Sequence, residues 1–289
     1  MSKSSFNSPL RYPGGKGRLT QYVAQLISLN GLRDGAYVEP YAGGAAVAIS
    51  LLFSEVVRTV HLNDISKPIY SFWYSVLNDT DDLCEMILST PVTVDVWERQ
   101  KEIQRTPGCS CLELGFSTFF LNRVNRSGII NGGLIGGRQQ SGTWRMDARY
   151  NKLDLVSRIR KISKYKNRIK FYSEDAHDFL SEVSGRLGEK TFFYLDPPYY
   201  IKGGGLYEHN YKHEDHGKIA SFVQEHLSQP WIVSYDNHDV IKTLYSERRQ
   251  KTFNLHYSAN NRFQGKELMV YCDKMLVPED IVTSRSAVV

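Results

Sequence analysis

The sequence predicts an α/β protein whose mostly parallel sheet is interrupted by a mostly helical insertion. Two stretches carry that prediction. Residues 36–64 run strand, glycine loop, helix, strand, and residues 168–245 alternate strands with helices again. Between them lie helical patterns and a cluster of glycines. In the first stretch AYVEPY ends in glycines, AAVAISLLF continues as an apolar helix, and TVHLND is a second apolar strand ending in acid. That order is a parallel βαβ unit. Residues 81–105 read as helical, with Leu83, Ile87, Val94, Trp97 and Ile103 as apolar positions and Pro91 as a break. Residues 112–124 form a further apolar helix containing Phe116, Phe119 and Phe120. Gly128, Gly132, Gly133, Gly136, Gly137 and Gly142 then exclude a helix, because each weakens one by about 1 kcal/mol, and favour loops or a hairpin. The helical pattern returns from Leu153 to Ile169. Beyond it RIKFYSED is a strand ending in acid, DAHDFLSEV a helix, and TFFYLDPPYY a buried strand running into a turn. SFVQEHL is a helix, WIVSYDN a strand and DVIKTLY a helix. The alternating stretches are assigned to one domain, residues 1–70 and 166–289, and residues 71–165 to the insertion.

Composition narrows the class. With 289 residues, 41% apolar and 23% charged, the chain can bury a proper core, which excludes a disordered chain, a collagen-like chain and a disulfide miniprotein. The longest uncharged apolar run, residues 40–53, is broken by glycines and falls short of the roughly 20 residues of a membrane span. Residues 1–16 hold no apolar signal segment. Cys84, Cys109, Cys111 and Cys272 match neither a zinc pattern nor a CxxC pair. These features predict a cytoplasmic protein with reduced cysteines and no membrane partner. The net charge of +5 is unevenly spread: residues 121–170 carry thirteen basic side chains against Asp147 and Asp154, so the rest of the chain is net acidic. Concentrated positive charge beside a glycine-rich loop is the electrostatic footprint of a phosphate backbone.

Three segments carry chemistry. Asp196-Pro197-Pro198-Tyr199 follows an apolar strand directly. A carboxylate at the end of a parallel strand lies where α/β sheets bind ligands. The prolines fix the backbone and leave carbonyls as acceptors, so Asp196 and the Pro197 carbonyl suit the two hydrogens of one planar amine, with Tyr199 as a stacking ring. That describes an exocyclic amine such as adenine N6 or cytosine N4, and the motif leaves both open. The second segment is Glu39-Pro40-Tyr41-Ala42-Gly43-Gly44, with Asp64 one βα unit later. Glycines let a backbone approach a ligand closely, and an acid about 20 residues on suits ribose hydroxyls. The pattern is that of an adenosine-containing cofactor. It lacks GxGxxG, which opposes a nicotinamide-dependent oxidoreductase. The third segment, Arg11-Tyr12-Pro13-Gly14-Gly15-Lys16-Gly17-Arg18, is a turn able to clamp a carboxylate or phosphate, without the spacing of a P-loop. His209 and His213 stand four apart, but Gly203–Gly205 precede them without a helix-start signal, so a loop and no metal site is expected.

Taken together, RYPGGKGRL, YVEPYAGGAAV and LDPPY, in that order, resemble the Dam-type DNA adenine-N6 methyltransferases, the D12 class. FFLNRVNRSGIINGG is similar to that family's DNA-contacting helix and hairpin, and SEDAHDFL to its adenine-holding segment. The resemblance covers about residues 9–273. It implies a Rossmann-like S-adenosylmethionine-dependent methyltransferase sheet carrying a target-recognition insertion. It implies methyl transfer from S-adenosylmethionine to adenine N6 of double-stranded DNA by direct in-line displacement after base flipping, with cytosine N4 or a non-catalytic DNA-binding regulator as alternatives. The intact Asp196 and Tyr199 oppose the last of these. The resemblance further implies cofactor contacts at Tyr12, Lys16, Glu39, Pro40, Ala42, Gly43, Asp64, Asp175 and Asp196. It implies catalysis at Asp196, Pro197, Pro198 and Tyr199, and DNA contacts at Asn122, Arg123, Arg126, Arg138 and Arg149. A cognate restriction enzyme and a monomeric or weakly dimeric state complete the expectations.

Overall fold

The computed structural model describes residues 7–12, 16–200, 211–256, 264–279 and 281. The chain divides into two compact units. The first is built on residues 16–65 and from 172 onward, the second on the 7–12 segment and residues 66–171. The insertion thus begins at Ser66 rather than 71 and ends at Phe171 rather than 165, and it takes in a piece of the N-terminus.

In the first unit, α1 (Thr20–Leu29) precedes β1 (Ala36–Glu39), α2 (Ala46–Phe53) and β2 (Thr59–Asn63). The last residue of β3 (Ile169–Tyr172) brings the chain back to this unit. The helix numbered α8 (Ala176–Arg186), β4 (Thr191–Leu195), α9 (His213–Glu225), β5 (Trp231–Asp236) and α10 (Asp239–Leu244) follow. Two further strands, β6 (Arg249–His256) and β7 (Gln264–Tyr271), lie beyond the last element legible in the sequence. The sheet order is β3-β2-β1-β4-β5-β7-β6. The strand β1 runs parallel to β2 and β4, β4 runs parallel to β5, and β7 inserts antiparallel between β5 and β6. The order reverses between β1 and β4, and ligands of open α/β sheets bind outside the carboxyl ends of strands at such a switch point. Every side chain of β4 is buried, as its unbroken TFFYL run requires of a strand covered on both faces. The helix α2 is apolar on nearly all sides and buries Val47, Ala48, Ile49, Leu51 and Leu52.

The second unit contains α3 (Lys67–Asn78), α4 (Thr80–Ser89), α5 (Val94–Ile103), α6 (Cys111–Val124) and α7 (Lys152–Ser163). The break at Pro91 separates α4 from α5, and the Thr93 side chain caps α5 by accepting from the Val96 N–H. A capping box between Ser110 and Glu113 starts α6. The helix expected to reach Ile169 stops at Ser163, because IKFY leaves it to form β3. The first three glycines of the cluster, Gly128, Gly132 and Gly133, lie in a loop closed by an antiparallel bridge between Asn125 and Leu134.

Two buried asparagines organise this unit. Asn122 accepts from the Arg11 N–H (2.7 Å) and donates to the Arg11 carbonyl (2.6 Å) and the Gly128 carbonyl (2.8 Å). Its carboxamide replaces a strand partner for the N-terminal segment. Asn125 accepts from the Trp97 indole (2.8 Å) and donates to the carbonyls of Ile129 and Ile130. Gly128 has φ +77°, and a Cβ there would sit 2.3 Å from the Arg11 carbonyl oxygen. Gly128→Ala therefore forces backbone apart at a left-handed position, and Asn122→Ala strands buried main-chain groups. Each is expected to cost more than about 1 kcal/mol and lower Tm by several degrees, measured by thermal melting. An unchanged melting profile for both variants contradicts this arrangement.

Candidate active site

Asp196 follows β4 at the switch point. Its side chain is 27% exposed. Its Oδ1 accepts from the Ser234 hydroxyl (2.6 Å) and pairs with the Lys16 ammonium (3.1 Å). Both contacts fall on Oδ1, and no described residue occupies Oδ2. Ser234 stands on β5, and its hydroxyl also meets that of the buried Tyr194 (3.1 Å).

Lys16 is 5% exposed. Its ammonium donates to the Tyr199 hydroxyl (2.6 Å) and to Glu267 Oε2 (2.7 Å), and with Asp196 this uses all three of its hydrogens. It also lies 4.9 Å from the centre of the Tyr199 ring. The Tyr199 hydroxyl in turn donates to Glu267 Oε1. Burial works against the ammonium, yet Asp196, Tyr199 and Glu267 outweigh it and hold the lysine well above its ordinary range. Burial likewise lifts Glu267, and Lys16 pulls it part of the way back. Donors on both of its oxygens require Glu267 to act as an acceptor at each.

The neighbouring strand β1 ends in Glu39, also buried. Its Oε1 accepts from the Tyr37 hydroxyl (2.7 Å). Burial pushes Glu39 up to about 8; Tyr37 and the Ala48 N–H at the start of α2 oppose that shift, and the charge of Asp196 adds to it. The Pro40 carbonyl accepts from Asn63 (3.1 Å), whose side chain also exchanges hydrogen bonds with the backbone of Glu174. Asn63 thereby ties the loops after β1, β2 and β3 together. The Ala42 N–H donates to the Asn63 carbonyl (2.9 Å). Gly43 has φ +45°, and its N–H donates to Asp64 Oδ2 (2.9 Å). Asp64 is buried at the end of β2, whereas Asp175 is exposed after β3 and caps α8 through the His177 N–H (2.8 Å).

The structure thus brings together Lys16, Asp196, Pro197, Pro198 and Tyr199 around one group, and Glu39, Pro40, Ala42, Gly43 and Asp64 along the adjoining strand ends. Lys16 spends its hydrogens on this chain's own acceptors, which differs from a clamp on a ligand carboxylate. Tyr199 is buried with its hydroxyl engaged, which differs from an open stacking ring. Glu267 escaped the sequence reading; the signal for it is a lone acid entering the apolar run LMVY. Residues 13–15, Gly203–Gly205 and His209 lie outside the described residues.

Tyr12 falls in the second unit and is half-buried. Of the residues assigned to a DNA face, Asn122 is 1% exposed and serves as the internal joint already described, which corrects its placement on a contact surface. The Arg123 guanidinium donates to the carbonyls of Arg149 and Pro9. Burial, with Arg11 and Arg158 nearby, lowers it to about 9. Arg126 and Arg149 are exposed, and Arg138 is exposed and paired with Glu98 (3.2 Å). Trp144, 67% exposed on the same glycine-rich loop, was not singled out in the sequence.

The sequence profile of the D12 class N6 adenine-specific DNA methyltransferases matches residues 12–262, and the chain belongs to that family. It is an adenine-specific DNA methyltransferase, which decides between the two amines that the Asp-Pro-Pro-Tyr motif leaves open. It is similar to the Type II methyltransferase M.MjaIII of Methanocaldococcus jannaschii, with 24% identity over 213 residues, 66% of this chain and 68% of that protein. Among solved structures, it is similar to the rRNA methyltransferase aviRa of Streptomyces viridochromogenes at 12% identity and a TM-score of 0.38, over 90% of this chain and 86% of that one. A score that low carries no argument. No helix among the described residues is long and apolar enough to cross a membrane.

Glu39 gives a test of this geometry. Its carboxyl is raised in the folded state, so the stability it contributes is full below its ordinary value of 4.5 and is lost as pH rises toward about 8. Glu39→Gln removes that dependence. Across the window its stability relative to the wild type should climb by up to about 1.4 kcal/mol per pH unit, measured by urea unfolding at several pH values. A pH-independent difference between the two proteins contradicts a protonated Glu39.

Proposed function

We propose that this chain transfers a methyl group from S-adenosylmethionine to adenine N6 of double-stranded DNA in a single displacement, on a base turned out of the duplex. The observation that carries the reading is Asp196: its Oδ1 is held by Lys16 and Ser234, and its Oδ2 faces no donor among the described residues. A fixed carboxylate with one oxygen to spare, followed by the Pro197 carbonyl, fits an amine that offers two hydrogens. Hydrogen bonds from N6 to these two acceptors favour a pyramidal nitrogen with a freer lone pair. Adenine N6 is otherwise a weak nucleophile because its lone pair is delocalised into the ring. Positioning and electrostatics supply the acceleration. The amine is inaccessible inside a stacked duplex, which is why the base must leave it.

The strand ends also fit the methyl donor. Asp64 is a carboxylate fixed by the Gly43 N–H beside a left-handed glycine, the donor set that suits ribose hydroxyls at close backbone approach. Asp175 offers an exposed acceptor for an adenine amine, and Glu39 a carboxyl for the methionine end. When bound, S-adenosylmethionine supplies an electrophilic sulfonium methyl group. In the second unit, the exposed Arg126, Arg138 and Arg149 are the phosphate partners. The Type II relative suggests a cognate restriction endonuclease for this enzyme too.

Asp196→Ala should lower turnover on DNA by at least about a hundredfold with the fold intact. Near-native turnover by a folded Asp196→Ala protein would falsify the mechanism. Asp64→Ala should raise the apparent KM for S-adenosylmethionine by roughly tenfold or more, with a much smaller change in kcat at saturation. Collapse of kcat at unchanged KM assigns Asp64 to the chemistry instead. Replacing Arg126 or Arg149 by Ala should weaken all DNA sequences alike and reduce the salt slope of binding by about one unit; unaltered slopes for both remove them from the DNA face.

A further inference from the structure

Glu267 is a buried carboxylate with no part in the reaction as just described. It stands on β7 among Leu268, Met269, Val270 and Tyr271, all buried. A carboxylate in such a run costs stability that an apolar residue would not. Its backbone is fixed from both sides, opposite Asp236 of β5 and opposite Phe253 of β6.

We propose that Glu267 is a positioning residue for methyl transfer: it holds the Lys16 ammonium off Asp196 Oδ2, so that the catalytic carboxylate keeps one acceptor open for the target amine. The inference rests on the reading of Asp196 given above. The ammonium has three hydrogens and meets three acceptor oxygens: the Tyr199 hydroxyl, Glu267 Oε2 and Asp196 Oδ1. The contacts are unequal. Those to Tyr199 and Glu267 measure 2.6 and 2.7 Å, while that to Asp196 is 3.1 Å and involves Oδ1. Glu267 draws the cation to its own side, and Tyr199, fastened to the other oxygen of Glu267, fills a second direction. Without the charge of Glu267, Asp196 is the one remaining anionic partner that Lys16 touches. The ammonium then moves onto it and competes with N6 for Oδ2. Glu267 therefore acts through Lys16, and the effect of removing it must disappear when Lys16 is already gone.

A double-mutant cycle on the full-length enzyme tests this, with kcat and the KM values for S-adenosylmethionine and for DNA measured for Glu267→Gln, Lys16→Met and the pair. Glu267→Gln alone should lower kcat by about tenfold or more and leave both KM values within about threefold. In the Lys16→Met background the same substitution should change kcat by less than about threefold. Glu267→Asp, which keeps the charge, should recover part of the loss. An equal loss in both backgrounds overturns the proposal, since that is what a purely structural role or one acting through Tyr199 alone produces. Full kcat in Glu267→Gln, or a loss confined to KM, overturns it as well. If Glu267→Gln does not fold, the cycle is run with Glu267→Met, which also removes the charge, and is read by the same two criteria. Turnover by Asp196→Ala is the separate result that removes the underlying reading, so the two failures are distinguishable.

Discussion

A buried lysine ammonium draws the candidate site together. Lys16 belongs to the first turn after the N-terminal segment, Asp196 and Tyr199 to the loop after β4, and Glu267 to a strand near the end of the chain. Taking a charge out of water costs several kcal/mol unless every hydrogen finds an acceptor of opposite or partial negative charge. Lys16 meets that condition at three places, and each acceptor comes from a segment that the sheet must first bring into position. The place of β7, antiparallel between β5 and β6, is what sets Glu267 beside a carboxylate at the end of a parallel strand.

The same constraint sorts the two carboxylates at the switch point. Glu39 and Asp196 end neighbouring strands, and the charge of Asp196 raises the cost of ionising Glu39. Their partners differ. Asp196 has Lys16 and the Ser234 hydroxyl, whereas Glu39 has the Tyr37 hydroxyl and the helix-start N–H of Ala48 in a buried setting. Here burial and the neighbouring charge leave Glu39 protonated near neutral pH.

Much of this was legible where local chemistry alone decides. Glycines after a strand, a carboxylate at a strand end and two prolines locking the backbone are readable without tertiary context, and they led to Asp64, Gly43 and Asp196. The βαβ stretch and the Pro91 break were readable for the same reason. Partnerships across long chain separations were not. Asn122 looks like a polar residue on a basic face, yet 111 residues separate it from the Arg11 backbone that it holds. Lys16 looks like an anion clamp because its acceptors lie 183 and 251 residues away. The strand β6 lies at an edge and is polar except at Phe253 and Leu255, so neither it nor Glu267 on its neighbour announced itself.

The most direct test of the account follows the methyl group. Purified enzyme is incubated with methyl-labelled S-adenosylmethionine and double-stranded DNA, the DNA is digested to nucleosides, and the labelled product is identified by chromatography and mass spectrometry. The account predicts label in N6-methyldeoxyadenosine, confined to one sequence context. Label in N4-methyldeoxycytidine, or none in DNA when the cofactor binds, would contradict it.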